Sequence, residues 1–302
     1  MSAPDDARRL AGFWLGVLGV ACFAVTLPAT RLATGTADAP QLSPAFVTAG
    51  RAALAGLLSA VFLLATRSPW PTRAQWLVLA GAMAGNVLGY PLLLAWALRS
   101  VTASHAAVIT ALLPLATAVV AAWVLGQRAR PAFWVCAAAG SALVAVFAWL
   151  RAGGAGGPGW GQADVLLAGA VLAASVGYVY GARLTPELGA ERVICWMCLG
   201  ALPLTLPAAV WLWPGNAQAV APAAWAGFVY VGAVSMWAGF FAWYRGLAWG
   251  GALRVSQTQL LQPFLAMLFA WPLLGERLDA LSVAFALAVV ATVLLSRRVG
   301  RA

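Results

Sequence analysis

The chain has 302 residues, 63% hydrophobic and only 9% charged, with a mean hydropathy of +0.89. A soluble domain carries roughly 25% charged residues, so this composition cannot clothe a water-facing surface, and its long apolar runs point to a multi-pass helical membrane protein. The net charge of +10 comes from 18 arginines with no lysine; scattered singly between apolar runs, they exclude a nucleic-acid patch and read as a topology signal.

Arg8 and Arg9 precede an apolar run over 10–33. The run is too long for a signal-peptide core, so it is read as the first span, with Pro28 near its end. Further spans are expected over 44–66, 75–98, 102–125, 131–150, 163–184, 190–213, 223–249, 252–274 and 280–296, which makes ten. At about 1.5 Å per residue each can cross a hydrocarbon core of roughly 30 Å. A glycine-rich linker, 151–162, divides the single membrane domain 1–302 into five-helix halves, 10–150 and 163–298. Trp213-Pro214-Gly215-Asn216 marks a second loop.

The halves are copies. Shifting 98–128 by 149 residues lays it on 247–277: Leu98 on Leu247, Leu112 on Leu261, Pro114 on Pro263, Leu125-Gly126 on Leu274-Gly275, and Arg128 on Arg277. With the N-terminus inside, the inner segments hold Arg8, Arg9, Arg67, Arg73, Arg128, Arg130, Arg183, Arg192, Arg245, Arg254, Arg297, Arg298 and Arg301. The outer segments hold Arg31, Arg99, Arg151 and Arg277. That bias, 13 against 4, places both termini in the cytoplasm. Because five is odd, the two halves face opposite ways across the bilayer. Inverted repeats of this kind belong to secondary transporters, with the solute site between the halves near the midplane.

The apolar helix with a proline in it, ending in Leu274-Gly275-Glu276-Arg277-Leu278, resembles the EamA-type branch of the drug/metabolite transporter superfamily. The first copy, Leu125-Gly126-Gln127-Arg128, departs by carrying glutamine where that family usually has glutamate. The resemblance covers essentially the whole chain, including an arginine in the second span. It implies a ten-helix inner-membrane carrier of amino acids or related small metabolites, often working outward, with the exporters of aromatic and neutral amino acids the nearest style of match. A drug, nucleoside or sugar exporter of the same fold is the alternative.

Polar residues inside the spans are the candidate site. All eight acids, Asp5, Asp6, Asp38, Asp164, Glu187, Glu191, Glu276 and Asp279, fall at span ends or in loops. Without a mid-membrane carboxylate, proton or sodium coupling through an acid is disfavoured and uniport becomes an expected mode. Arg51 stands about seven residues into the second span, where an arginine costs roughly 2.5–3.5 kcal/mol on insertion scales. It snorkels to the outer surface, ~10 Å away, pairs with a helix-end carbonyl, or clamps a solute carboxylate. His105, the lone histidine, and its repeat mate Arg254 sit at opposite ends of their spans, as gate or interface residues. The ninth span carries Ser256, Gln257, Thr258, Gln259 and Gln262, where the first copy is mostly apolar. At least one of these glutamines is expected to contact solute rather than only another helix.

Tyr230, Trp237, Phe241 and Tyr244 fall on one helical face of the eighth span, Asn86 and Tyr90 share a face in the third, and Ser175 and Tyr178 do so in the sixth. Such aromatics would line a cavity for an apolar or aromatic solute. Pro114 and Pro263 are read as mid-helix bends on which the halves rock, and Gly81, Gly85 and Gly89 as a close helix contact. Cys22, Cys136, Cys195 and Cys198 lie in apolar stretches, and Cys195-x-x-Cys198 reads as helix packing, not redox chemistry. One histidine with no membrane acid supplies neither a catalytic pair nor a metal cluster, and no nucleotide motif is present. A non-enzymatic carrier without cofactor is therefore expected, as a monomer or homodimer whose partners are its solute and the bilayer.

Overall fold

A computed structural model describes residues 3–35, 39–97, 109–151, 161–274 and 280–299. Named in chain order, α1 runs Ala3–Ala24 and continues as Thr26–Thr34, and α2 is Pro44–Ala65. Helix α3 comprises Arg73–Met83, a π-helical segment Ala84–Gly89, and Tyr90–Ala97. Next come α4 (Leu113–Val124), α5 (Pro131–Arg151), α6 (Gln162–Leu188) and α7 (Ala190–Trp211). Helix α8 comprises Pro222–Val229, a π segment Tyr230–Ala238, and Gly239–Gly250. Helix α9 comprises Ala252–Val255, a 3-10 segment Ser256–Leu261, and Gln262–Leu274, and α10 is Ala280–Val299. Six rods among the described residues are long and apolar enough to cross a membrane: Asp6–Thr34, Pro44–Ala65, Arg73–Leu94, Gln162–Leu188, Ala190–Trp211 and Pro222–Gly250. Most of the linker at 151–162, His105, and the Gly275–Leu278 part of the second motif lie outside the described residues.

Local chemistry sets the boundaries. Pro44 stands in the first turn of α2, where its missing N–H is harmless, and Ser43 caps that turn by accepting from the Phe46 amide at 3.1 Å. Thr72 and Gln75 form a reciprocal capping box at the start of α3. Asp164 accepts from the Gly161 amide at 2.8 Å, so this acid serves as a helix start. Gly189 and Gly251 separate consecutive helices at φ +85° and +86°, a region open to glycine. The break at Val25 lies three residues before Pro28, whose ring and missing N–H disrupt the preceding turn.

Much of the packing recurs when the halves are exchanged, although among the described residues α6 and α7 also pack on α8 without a contact of matching extent of α1 or α2 on α3. Helix α1 packs on α8 as α6 packs on α3; α1 meets α9 as α6 meets α4; α2 meets α8 as α7 meets α3. The pairs α2·α7, α4·α9 and α5·α10 map onto themselves, the signature of an isologous contact. Glycine makes the closest approaches possible. A Cβ at Gly12 of α1 would lie 2.3 Å from the Gly250 nitrogen of α8, and one at Gly246 would lie 2.7 Å from the Gly16 nitrogen. On the partner seam, a Cβ at Gly85 would meet the Ala173 carbonyl oxygen at 2.3 Å. Lipid tails offer no hydrophobic drive to bring helices together, so association depends on such backbone proximity.

Polar contacts tie the ends of the rods. Glu191 of α7 pairs with Arg245 of α8, which also stacks on Trp249, and Glu187 of α6 accepts from Gln75 of α3 at 2.9 Å. The side chains of Arg245 and Glu191 are 39% and 25% exposed, so solvent screens the pair. Glu191→Gln is therefore expected to change stability by less than ~1 kcal/mol. A drop of more than ten degrees in the unfolding midpoint of the detergent-solubilised protein would contradict this.

Candidate functional site

Arg51 enters the centre of the molecule from α2. Its Nη2 donates to the Met236 sulfur at 3.5 Å, midway along α8, and its charge lies within electrostatic reach of Tyr90 on α3, Tyr178 on α6 and Cys198 on α7. These partners sit deep along their helices, so the guanidinium turns inward and does not snorkel. No carboxylate among the described residues contacts it. Asp164, Glu187 and Glu191 are engaged elsewhere, at Gly161, Gln75 and Arg245.

Across from Arg51 stands the 3-10 segment of α9. The sequence suggests one continuous helix here, but tighter winding over Ser256–Leu261 interrupts it. Gln257 Nε2 donates to the Pro114 carbonyl at 3.2 Å and so joins α9 to α4, while its Oε1 has no partner. Gln259, beside Tyr178, is 4% exposed, and neither end of its amide finds a well-formed hydrogen bond among the described residues. A buried amide held by no more than its neighbour Tyr178 leaves polar atoms unsatisfied, at a desolvation cost of about 1–3 kcal/mol per group that a polar solute would relieve. Gln262 is partly buried one turn further on and makes no side-chain hydrogen bond to the described residues. Arg254 lies in the short helix just before this segment.

An aromatic wall closes one side. Trp237 and Phe241 of α8 pack at 4.9 Å between ring centroids, and Phe62 of α2 meets both, at 6.1 and 5.7 Å. Trp237 Nε1 donates to the Cys195 sulfur at 3.2 Å. Both Cys195 and Cys198 are buried free thiols. Arg51 and Trp237 thus both aim a donor at sulfur, a weak acceptor that releases it at little cost to a better one.

The expected single aromatic face of α8 does not hold. Tyr230 donates to the Cys22 carbonyl of α1 at 3.2 Å, away from Trp237, and Tyr244 faces α3 and α6. The π segment between them is responsible: i→i+5 bonding widens each turn, so 3.6-residue phasing is lost across it. Tyr244 is fully buried. It accepts from Asn86 Nδ2 at 2.9 Å, and its hydroxyl is 3.4 Å from the Gly177 carbonyl and 3.5 Å from the Met197 sulfur. Asn86 and Tyr244 are thus spent on each other and on neighbouring helices. Tyr244→Phe leaves the Asn86 amide without its acceptor and is expected to destabilise the protein by about 1–3 kcal/mol. The unfolding midpoint checks this, and an unchanged midpoint would show that the pair holds nothing.

Pro114 and Pro263 are not mid-helix. Each stands in the first turn of a helical segment, after the turn at 111–112 and after the 3-10 segment respectively. A first-turn proline loses no hydrogen bond, so both mark where irregular backbone ends. His105 lies outside the described residues. Met236, Phe62 and both π segments join the site without a signal in the sequence, and Cys195, read there as helix packing, joins it as the acceptor for Trp237. The π segments, Ala84–Gly89 and Tyr230–Ala238, overlap under the 149-residue shift, a hint visible only once the winding is known.

The EamA-like transporter family model matches this chain twice, over residues 10–149 and 161–298. The uncharacterized transporter YdeK of Bacillus subtilis is 41% identical over 286 residues, covering 94% of this chain and 96% of its own. A solved crystal structure, 23% identical, covers 96% of this chain and 97% of its own with a TM-score of 0.74, a likeness of fold.

Proposed function

As this chain belongs to the EamA-like transporter family of multi-pass membrane proteins, we propose that it exports amino acids or related small carboxylated metabolites across the cell membrane. It works by alternating access between two inverted halves of five spans, with both termini in the cytoplasm. The packing pairs that recur on exchange support two related halves, and the arginine bias, 13 against 4, supports the orientation. The solute lies between the halves, its carboxylate on Arg51, its apolar part against Trp237 and Phe241, and its ammonium or other polar group toward Gln259, Tyr90 and Tyr178.

One observation carries the choice of solute: a permanently charged guanidinium at the centre of a membrane protein whose sole side-chain hydrogen bond among the described residues is to a sulfur. A carboxylate supplies both the missing charge and a bidentate acceptor. An extruder of cations would repel its cargo at this point. Solute gradients drive the cycle, because no acid sits beside Arg51 to carry a proton or sodium ion among the described residues. Uptake of radiolabelled amino acids into liposomes holding only the purified protein tests the reading. Saturable entry of a neutral amino acid, indifferent to an imposed pH gradient, is expected. Entry of sugars or nucleosides in place of every amino acid would overturn it.

A further inference from the structure

The central charge bears on how the empty carrier returns. Arg51 stays protonated at any physiological pH, so its charge cannot be shed during the cycle. The groups around it are neutral: the Met236 sulfur, the Tyr90 and Tyr178 hydroxyls and the Cys198 thiol. Trp237, the chain neighbour of Met236, packs in an aromatic cluster with Phe62 and Phe241. Every alternating-access cycle passes through an occluded state in which the cavity is cut off from both aqueous faces. With a carboxylate aboard, Arg51 enters that state paired. Without one, it enters as a desolvated and uncompensated cation, which is the costly arrangement.

We propose that this protein is an exchanger: loaded carrier crosses readily, and the Arg51 charge holds back the empty form until another carboxylated solute binds. The proposal rests on the reading of Arg51 as a carboxylate clamp and adds to it a kinetic rule, that net movement is slow and exchange is fast. A zwitterionic amino acid going out would be traded for another zwitterion coming in, with no net charge moved by the swap. Gln259 and the two tyrosines supply dipoles that orient the remainder of the solute but cannot neutralise the guanidinium, so they do not relieve the empty state.

The test uses the full-length purified protein in liposomes, loaded either with an unlabelled mixture of the protein amino acids or with buffer alone. The same mixture, radiolabelled, is added outside, and initial entry is measured. Entry at least ~10-fold faster into the amino-acid-loaded vesicles is expected, a difference of about 1.4 kcal/mol in barrier. Efflux from loaded vesicles should likewise accelerate at least ~10-fold when amino acids are present outside. In Arg51→Gln, with folding checked by its unfolding midpoint, the ratio between loaded and empty vesicles should fall toward one for whatever entry remains. Equal rates into loaded and empty vesicles of the unaltered protein overturn exchange and leave the clamp standing. No entry under either condition, together with no thermal stabilisation by amino acids, overturns the clamp and exchange with it.

Discussion

Arg51→Gln is expected to weaken binding of carboxylated solutes by roughly 10- to 150-fold, with Arg51→Lys retaining a fraction of the affinity. The magnitude follows from the interaction lost. A hydrogen bond to a charged group contributes about 1.5–3 kcal/mol, and a bidentate guanidinium–carboxylate pair lies at the upper end. Lysine keeps the charge but offers a point cation in place of a planar fork, so its loss should be intermediate. The folded protein, by contrast, should tolerate Arg51→Gln, because among the described residues the side chain's one hydrogen bond is to the Met236 sulfur at 3.5 Å. A lower affinity with an unchanged or raised unfolding midpoint separates a ligand-binding arginine from a structural one. If affinity holds and the midpoint collapses, Arg51 belongs to the scaffold.

Gly85→Ala should reduce stability by about 1–3 kcal/mol or more and disrupt the site, although it adds a single methyl group. The methyl carbon would sit 2.3 Å from the Ala173 carbonyl oxygen and 2.9 Å from the Gly177 nitrogen, both backbone atoms of α6. No rotamer change can clear them, so α3 and α6 must separate along the seam that positions Asn86. Gly177 reinforces the point, since a Cβ there would lie 2.5 Å from the Asn86 side chain. Gly169 on the same helix α6 is the control. A Cβ there meets only Leu93 Cδ1 at 3.5 Å, an ordinary contact. Replacing a helix-interior glycine by alanine is favourable by about 0.5–1 kcal/mol, so Gly169→Ala should stabilise. Unfolding midpoints that move together for the two variants would contradict the packing described here.

Some of this was legible in the chain itself. Apolar runs and the 149-residue repeat match most of the described helices, but α1 begins at Ala3 and not at 10, and among the described residues six rods, not the expected ten, reach the length of a span. Arg51 stood out because a charge inside an apolar run is costly wherever it points. Its direction was not legible: snorkelling and turning inward obey the same sequence, and only the position of Met236 on α8 separates them. The α8 stripe failed for a different reason. Periodicity assumes one winding along a helix, and Tyr230–Ala238 winds as a π-helix without a proline to announce it. The Gly81-Gly85-Gly89 spacing was recognisable, but its counterparts Gly12-x-x-x-Gly16 and Gly246-x-x-x-Gly250 passed unnoticed. Glycine is common in membrane helices, and contact is decided by the facing helix.

The most direct measurement compares each neutral L-amino acid with its decarboxylated amine as a stabiliser of the purified protein in detergent. The pair shares its apolar part and its ammonium and differs only in the group assigned to Arg51. Stabilisation by at least one amino acid, with none from the matching amine, is the predicted result. Equal stabilisation by the amine would contradict the assignment of Arg51 as the carboxylate clamp.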